Sequence, residues 1–106
     1  MVNNFNEAYF LKLRIFLPMQ LKKIRFIEIV YHTECNYVLC KLVNAYGEWL
    51  YRKCMDQGIL IRRASNFKGL DDGYVRFAIK NRELNIKLIE ALTIIEKMAN
   101  DIEVNK

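Results

Sequence analysis

The sequence predicts an α+β fold in which a small four-stranded sheet is covered on one face by helices. Three observations predict it. Strand-like segments come in two pairs, 26–31 with 36–42 and 59–62 with 74–80, divided by a helical segment at 45–57. Paired strands without strict βα alternation favour an α+β sandwich. Both ends of the chain carry apolar residues at helical spacing, which supply the cover.

In chain order, the asparagines of the stretch Asn3–Asn6 are polar and suited to cap a helix beginning near Glu7. Apolar residues recur at Phe10, Leu13, Leu17, Leu21 and Ile24. Pro18 removes a backbone donor inside that pattern, so either two short helices or one kinked helix is expected. Phe26–Tyr31 reads as a strand, with Phe26, Glu28 and Val30 on one side and Ile27, Ile29 and Tyr31 on the other. The polar run 32–35 is a turn. Asn36–Leu42 is nearly continuous in apolar residues, which suits a central strand.

A second helix is predicted over Ala45–Gln57, with Tyr46, Trp49, Leu50 and Cys54 as its apolar stripe. Gly47 inside it is expected to cost about 1 kcal/mol relative to Ala. Gly58 is suited to end that helix, and Ile59-Leu60-Ile61 opens a short strand that Arg62 closes. Residues 65–73 are dense in turn formers, with Gly69 and Gly73 able to take positive φ. Tyr74–Lys80 alternates, sending Val75, Phe77 and Ile79 to a core face and Tyr74, Arg76 and Ala78 to the other. Asn81 caps the last helix, Glu83 sits in its first turn, and Leu84, Leu88, Ala91, Leu92 and Ile95 form its stripe. After Asn100 a polar, frayed tail is expected.

One domain is the natural count for 106 residues, 53% of them hydrophobic and 27% charged. Six Tyr, six Phe and one Trp argue against disorder. Cys35, Cys40 and Cys54 form no C-x-x-C pair, and no secretory pattern opens the chain. Reduced thiols and a cytoplasmic setting are therefore expected. No apolar run approaches the roughly 18 residues of a membrane span. The net charge of +5 gathers in the first 25 residues, where Lys12, Arg14, Lys22, Lys23 and Arg25 face Glu7 alone. A solvated helix face, a nucleic-acid contact or a membrane surface would each account for that.

The stretch GILIR, SNF, GL and GYVRFAIKNRELN between Gly58 and Asn85 resembles the C-terminal part of the histidinol-phosphate aminotransferase and threonine-phosphate decarboxylase group. These are pyridoxal-phosphate (PLP) enzymes of the aspartate-aminotransferase fold. The SNF segment leans towards the decarboxylase, and Cys35–Leu42 resembles the strand preceding it in the family. The resemblance covers roughly residues 25 to 98. It implies that 1–25 is a helical connector, 26–100 the small C-terminal domain, and 101–106 a polar tail. In that family the PLP lysine, the aspartate facing the pyridine nitrogen and the phosphate loop lie in a larger N-terminal domain. The chain is therefore expected to be truncated, to bind no PLP by itself and to be inactive alone. Its expected partners are an amino-acid or amino-phosphate substrate in the full enzyme, and a large PLP domain or a second copy of itself.

The resemblance also implies the substrate-binding residues. Arg76 is expected to fork onto the substrate α-carboxylate, which a planar, permanently charged guanidinium suits. Arg62 would lie near the substrate's phosphate end. Asn66 would shape the turn beside them, and Asn85 would be structural. Read without the resemblance, Arg76 is an ordinary arginine on an exposed strand face. Arg63 departs from the family, where an acidic or small residue often follows, and adds a positive charge beside Arg62.

Other chemistry is poorly served. His32 with the three cysteines matches no structural zinc spacing, and no third group orients a Cys-His pair. There is no P-loop, G-x-G-x-x-G or H-E-x-x-H. The alternative to an enzyme domain is a stand-alone interaction module, whose basic N-terminal helices would bind nucleic acid or a protein partner. Tyr37 and Tyr74 could stack bases on the sheet. The absence of a basic-Gly-aromatic run disfavours that reading.

Overall fold

The computed structural model describes residues 2–33, 36–64 and 69–104, with side chains described for 12–33, 36–64 and 69–99. The first helix, α1 (Val2–Leu21), is continuous and carries Pro18 inside its last turn. Leu13, Leu17 and Leu21 fall on one buried face, so burial of that stripe outweighs the single backbone bond that Pro18 removes. Successive turns, Ile24 N–H to Leu21 and Ile27 N–H to Ile24, then lead the chain into β1 (Ile27–Val30).

Four strands form one antiparallel sheet in the order β1, β2 (Tyr37–Leu42), β4 (Tyr74–Ala78), β3 (Arg62–Arg63). The apolar run of β2 is central, as its composition predicts. Val38, Cys40 and Leu42 of β2 point to the helix-covered face, as do Val75 and Phe77 of β4. Beyond β4, Ile79 is buried in the same core.

The alternation expected of β1 is broken. Ile27 pairs with Leu42, yet Ile29 pairs with Lys41, so Glu28 is the extra residue of a bulge. The bulge returns Ile27 and Val30 to the covered side and leaves Ile29 on the open one. The third strand is also shorter than expected. Only Arg62 and Arg63 pair with β4, and Leu60 is exposed. The chain diverges from β4 there and opens a groove lined by Ile59, Ile61, Ala78 and Leu84, among others.

α2 (Gly47–Asp56) begins two residues later than expected, because Tyr46 adopts extended backbone angles as its N-cap and lies exposed. Gly47 is therefore the first helical residue, not an interior one. Its backbone sits so close to the turn before β4 that a Cβ would lie 3.0 Å from Asp72 Oδ1 and 3.1 Å from the Tyr74 carbonyl oxygen. Trp49 meets Phe26 edge to face at 5.6 Å, while Leu50 and Cys54 are fully buried. At its other end Gly58 takes φ +77°, and the Ile59 N–H returns to the Cys54 carbonyl, a left-handed helix stop.

α3 (Arg82–Val104) is capped by Asn81, whose Oδ1 accepts the Leu84 N–H at 2.9 Å. It continues through Val104, beyond the point where a frayed tail was expected. Leu84 is exposed and does not belong to the stripe; Asn85 takes the buried place instead, with Leu88, Ala91, Leu92 and Ile95. The core thus joins α1, α2 and α3 to one face of the sheet, and among the described residues no helix covers the other face.

Candidate functional site

The register of the sheet assembles the site. In β3 and β4 Arg62 is the direct partner of Arg76, and in β2 and β4 Leu39 is the direct partner of Arg76. Directly opposite residues project to the same face. Leu39, Arg76 and Arg62 therefore form one row across the sheet, on the face opposite the buried Val38, Cys40, Val75 and Phe77. Tyr74 and Lys41 form the next row, and Ala78 with Tyr37 the row on the other side.

Arg76 is half-buried, and its Nε is fully buried. Its guanidinium carbon lies over the Tyr37 ring, 5.5 Å from the centroid, within the range of a cation–π contact. Arg62 is exposed at the sheet edge. The pairing of Arg62 with Arg76 thus brings two guanidinium-bearing residues to one spot on this face, a donor set suited to an anion.

Arg63 does not add to that spot. It pairs with Val75, and its Nη2 and Nε reach Asp72 Oδ1 at 2.9 and 3.2 Å. Adjacent strand residues face opposite ways, so the second arginine is turned to the other side of the sheet and neutralised there. Asn66, expected beside the arginines, lies outside the described residues.

Further along the face Tyr31 and Tyr74 stack at 6.4 Å between centroids. The Tyr31 phenol is pushed above its ordinary value, first by desolvation and then by its hydrogen bond with Tyr74. Lys41 pairs with Glu28 at 3.7 Å. Sequence reasoning passed over Tyr37 as a neighbour of Arg76. The signal was available once the pairing was known, since Tyr37 lies two residues before Leu39 and diagonal neighbours touch.

The strand that carries Arg76 is fastened at its end by Asn85, only 1% exposed. Its Oδ1 accepts the Lys80 N–H and its Nδ2 donates to the Lys80 carbonyl, both at 2.9 Å. Among the described residues, no group of three or more His, Cys, Asp or Glu could hold a metal ion. No helix there is long and apolar enough to cross a membrane.

No protein-family model matches the chain. A solved histidinol-phosphate aminotransferase from Clostridium acetobutylicum is 42% identical, with a TM-score of 0.85 over 91% of this chain and 29% of that one. The L-threonine-O-3-phosphate decarboxylase of Porphyromonas gingivalis is 26% identical, with a TM-score of 0.76 over 83% of this chain and 27% of that one. The histidinol-phosphate aminotransferase of Caldanaerobacter subterraneus subsp. tengcongensis is 38% identical over 84 residues, which is 79% of this chain and 23% of that protein. The chain spans about a fifth of the length of the curated relatives it matches. In sequence and fold, the chain belongs to the histidinol-phosphate aminotransferase and threonine-phosphate decarboxylase group of PLP enzymes, and it corresponds to one part of them.

Proposed function

We propose that this chain is the small C-terminal domain of such an enzyme, and that its open sheet face supplies substrate-binding arginines. Arg76 forks onto the α-carboxylate of an amino-acid substrate, and Arg62 faces its phosphate end. Asn66 shapes the turn beside them. Threonine phosphate carries both anionic groups. The observation that supports this reading is the direct pairing of Arg62 with Arg76 on the face left bare by the helices.

The donor set supports leaving the cofactor to other residues. PLP, when bound, acts as the electron sink of the family's chemistry, and needs a lysine, a partner for its ring nitrogen and a phosphate cradle. This face offers arginines and tyrosines, and its Lys41 is engaged by Glu28. The described residues therefore do not make a PLP site by themselves. On this reading the chain is catalytically silent alone, works in the cytoplasm, and meets a large PLP domain across the open face.

The test uses the PLP enzyme that carries this sequence, purified from its source cells. Arg76→Gln should lower kcat/KM for threonine phosphate by a factor on the order of 10 to 150, the worth of a charge-assisted hydrogen bond. Arg76→Lys should recover only part, because a point charge cannot fork. An unchanged kcat/KM in Arg76→Gln would overturn the assignment. Turnover of threonine phosphate or histidinol phosphate by this chain alone with PLP would overturn its silence.

A further inference from the structure

The geometry points to Tyr37 as the positioning residue of the Arg76 fork, an inference that rests on the reading of Arg76 given above. Tyr37 opens β2 and pairs with Ala78, one row away from Arg76. Diagonal neighbours on an antiparallel face lie within reach of an aromatic ring and a long side chain. Here they meet, with the guanidinium carbon 5.5 Å from the ring centroid. The buried Nε shows that the stem of Arg76 lies down along the sheet instead of extending into solvent.

The backbone that carries the ring is itself tied down. Thr33 Oγ1 donates a hydrogen bond to the Tyr37 carbonyl at 2.7 Å. On the preceding residue, the Asn36 carbonyl accepts the Ile79 N–H at 2.8 Å. The start of β2 is thus tied both to the segment after β1 and to the end of β4.

A ring beneath a guanidinium is compatible with an anion on its edge, because cation–π attraction uses the guanidinium face and bidentate hydrogen bonding uses the edge. A long side chain that samples many rotamers must be immobilised when substrate binds, which weakens binding. Tyr37 removes that cost by holding the fork beforehand. Its ring, not its hydroxyl, is the part that acts. The effect belongs to binding, so KM should respond and kcat should not.

The experiment compares Tyr37→Leu, Tyr37→Phe and Arg76→Gln in the same PLP enzyme, with threonine phosphate as substrate. Tyr37→Leu should raise KM roughly three- to tenfold, the size of a cation–π contact, with kcat little changed. Tyr37→Phe should restore the wild-type KM. In this chain alone, the Arg76 Nε–Hε resonance, assigned by its loss in Arg76→Gln, should be shifted by the ring in the wild type and in Tyr37→Phe. It should move to the unperturbed position in Tyr37→Leu. If Arg76→Gln raises KM and Tyr37→Leu does not, the positioning role is overturned while the carboxylate reading stands. If Arg76→Gln leaves KM and kcat unchanged, the carboxylate reading itself fails. A Tyr37→Phe enzyme as impaired as Tyr37→Leu would also overturn the inference, by placing the effect in the hydroxyl.

Discussion

The clamp on the end of β4 can be tested by changing one atom. Asn85 is buried at the start of α3 and makes two reciprocal hydrogen bonds with Lys80, each at 2.9 Å. Each such bond contributes about 1 kcal/mol, and leaving a buried partner unmade costs about 1–3 kcal/mol. The side chain of Lys80 is exposed and water can approach its backbone, so the lower end of that range applies. Asn85→Leu, which keeps the volume and removes both bonds, should cost about 2 kcal/mol. Asn85→Asp is the sharper change. It keeps the acceptor for the Lys80 N–H but turns a carboxylate oxygen towards the Lys80 carbonyl, where Nδ2 donates in the native protein. Burial and the facing carbonyl both disfavour the charged form, so the folded pKa of the introduced carboxyl rises above its unfolded value of about 3.9. Between the two values the folded state binds the extra proton, and stability falls as pH rises. The penalty of Asn85→Asp should therefore be small near pH 4, where a protonated carboxyl donates to the carbonyl, and should grow to about 2–3 kcal/mol above the folded pKa. Urea unfolding of the variant and the wild type from pH 4 to 8 gives the difference directly. A difference independent of pH, or an Asn85→Leu variant as stable as the wild type, would refute the clamp.

The close approach at Gly47 predicts that Gly47→Ala destabilises by about 1–2 kcal/mol in urea, since the strain of overpacking exceeds the helix-propensity gain of about 1 kcal/mol. Gly58→Ala should lose about 1 kcal/mol for a different reason, its φ of +77°, and Gly58→Asn should recover most of it where Gly47→Ser recovers nothing. Asp72 accepts the Glu48 N–H at the start of α2 as well as the Arg63 ion pair, so Asp72→Ala should cost about 1–1.5 kcal/mol and Arg63→Ala only about 0.5. Cys40 and Cys54 are pushed up to about 12 by burial, so their alkylation by iodoacetamide at pH 8 should follow unfolding. Because both thiols are raised in the folded state, the same two residues should leave stability flat below the unfolded pKa near 8.5 and erode it as pH climbs towards 12.

What the sequence discloses here is whatever alternation or spacing can write down. β4 shows its buried face in the bare alternation of Val75, Phe77 and Ile79, whereas the nearly continuous apolar run of β2 discloses its central place and leaves its buried face, Val38, Cys40 and Leu42, to the structure. The bulge at Glu28 cannot be read that way. An extra residue preserves composition while reversing the faces beyond it, so Ile27 and Ile29, expected on one side, are found on opposite sides. Helix ends fail for a related reason. Tyr46 and Leu84 satisfy helical spacing, but one is a cap with extended backbone and the other faces water beside the buried Asn85, a polar residue that an apolar count passes over. The site depends on register, which neither strand contains alone. Arg62 and Arg76 become partners only when β3 is laid against β4. Once that pairing is fixed, Arg63 has no freedom left: the residue next to Arg62 must face the other way, where Asp72 receives it. A doubled arginine that reads in the sequence as crowding of one pocket is therefore two separate devices. One charge faces the open side of the sheet, and the other ties the edge strand to the turn before β4.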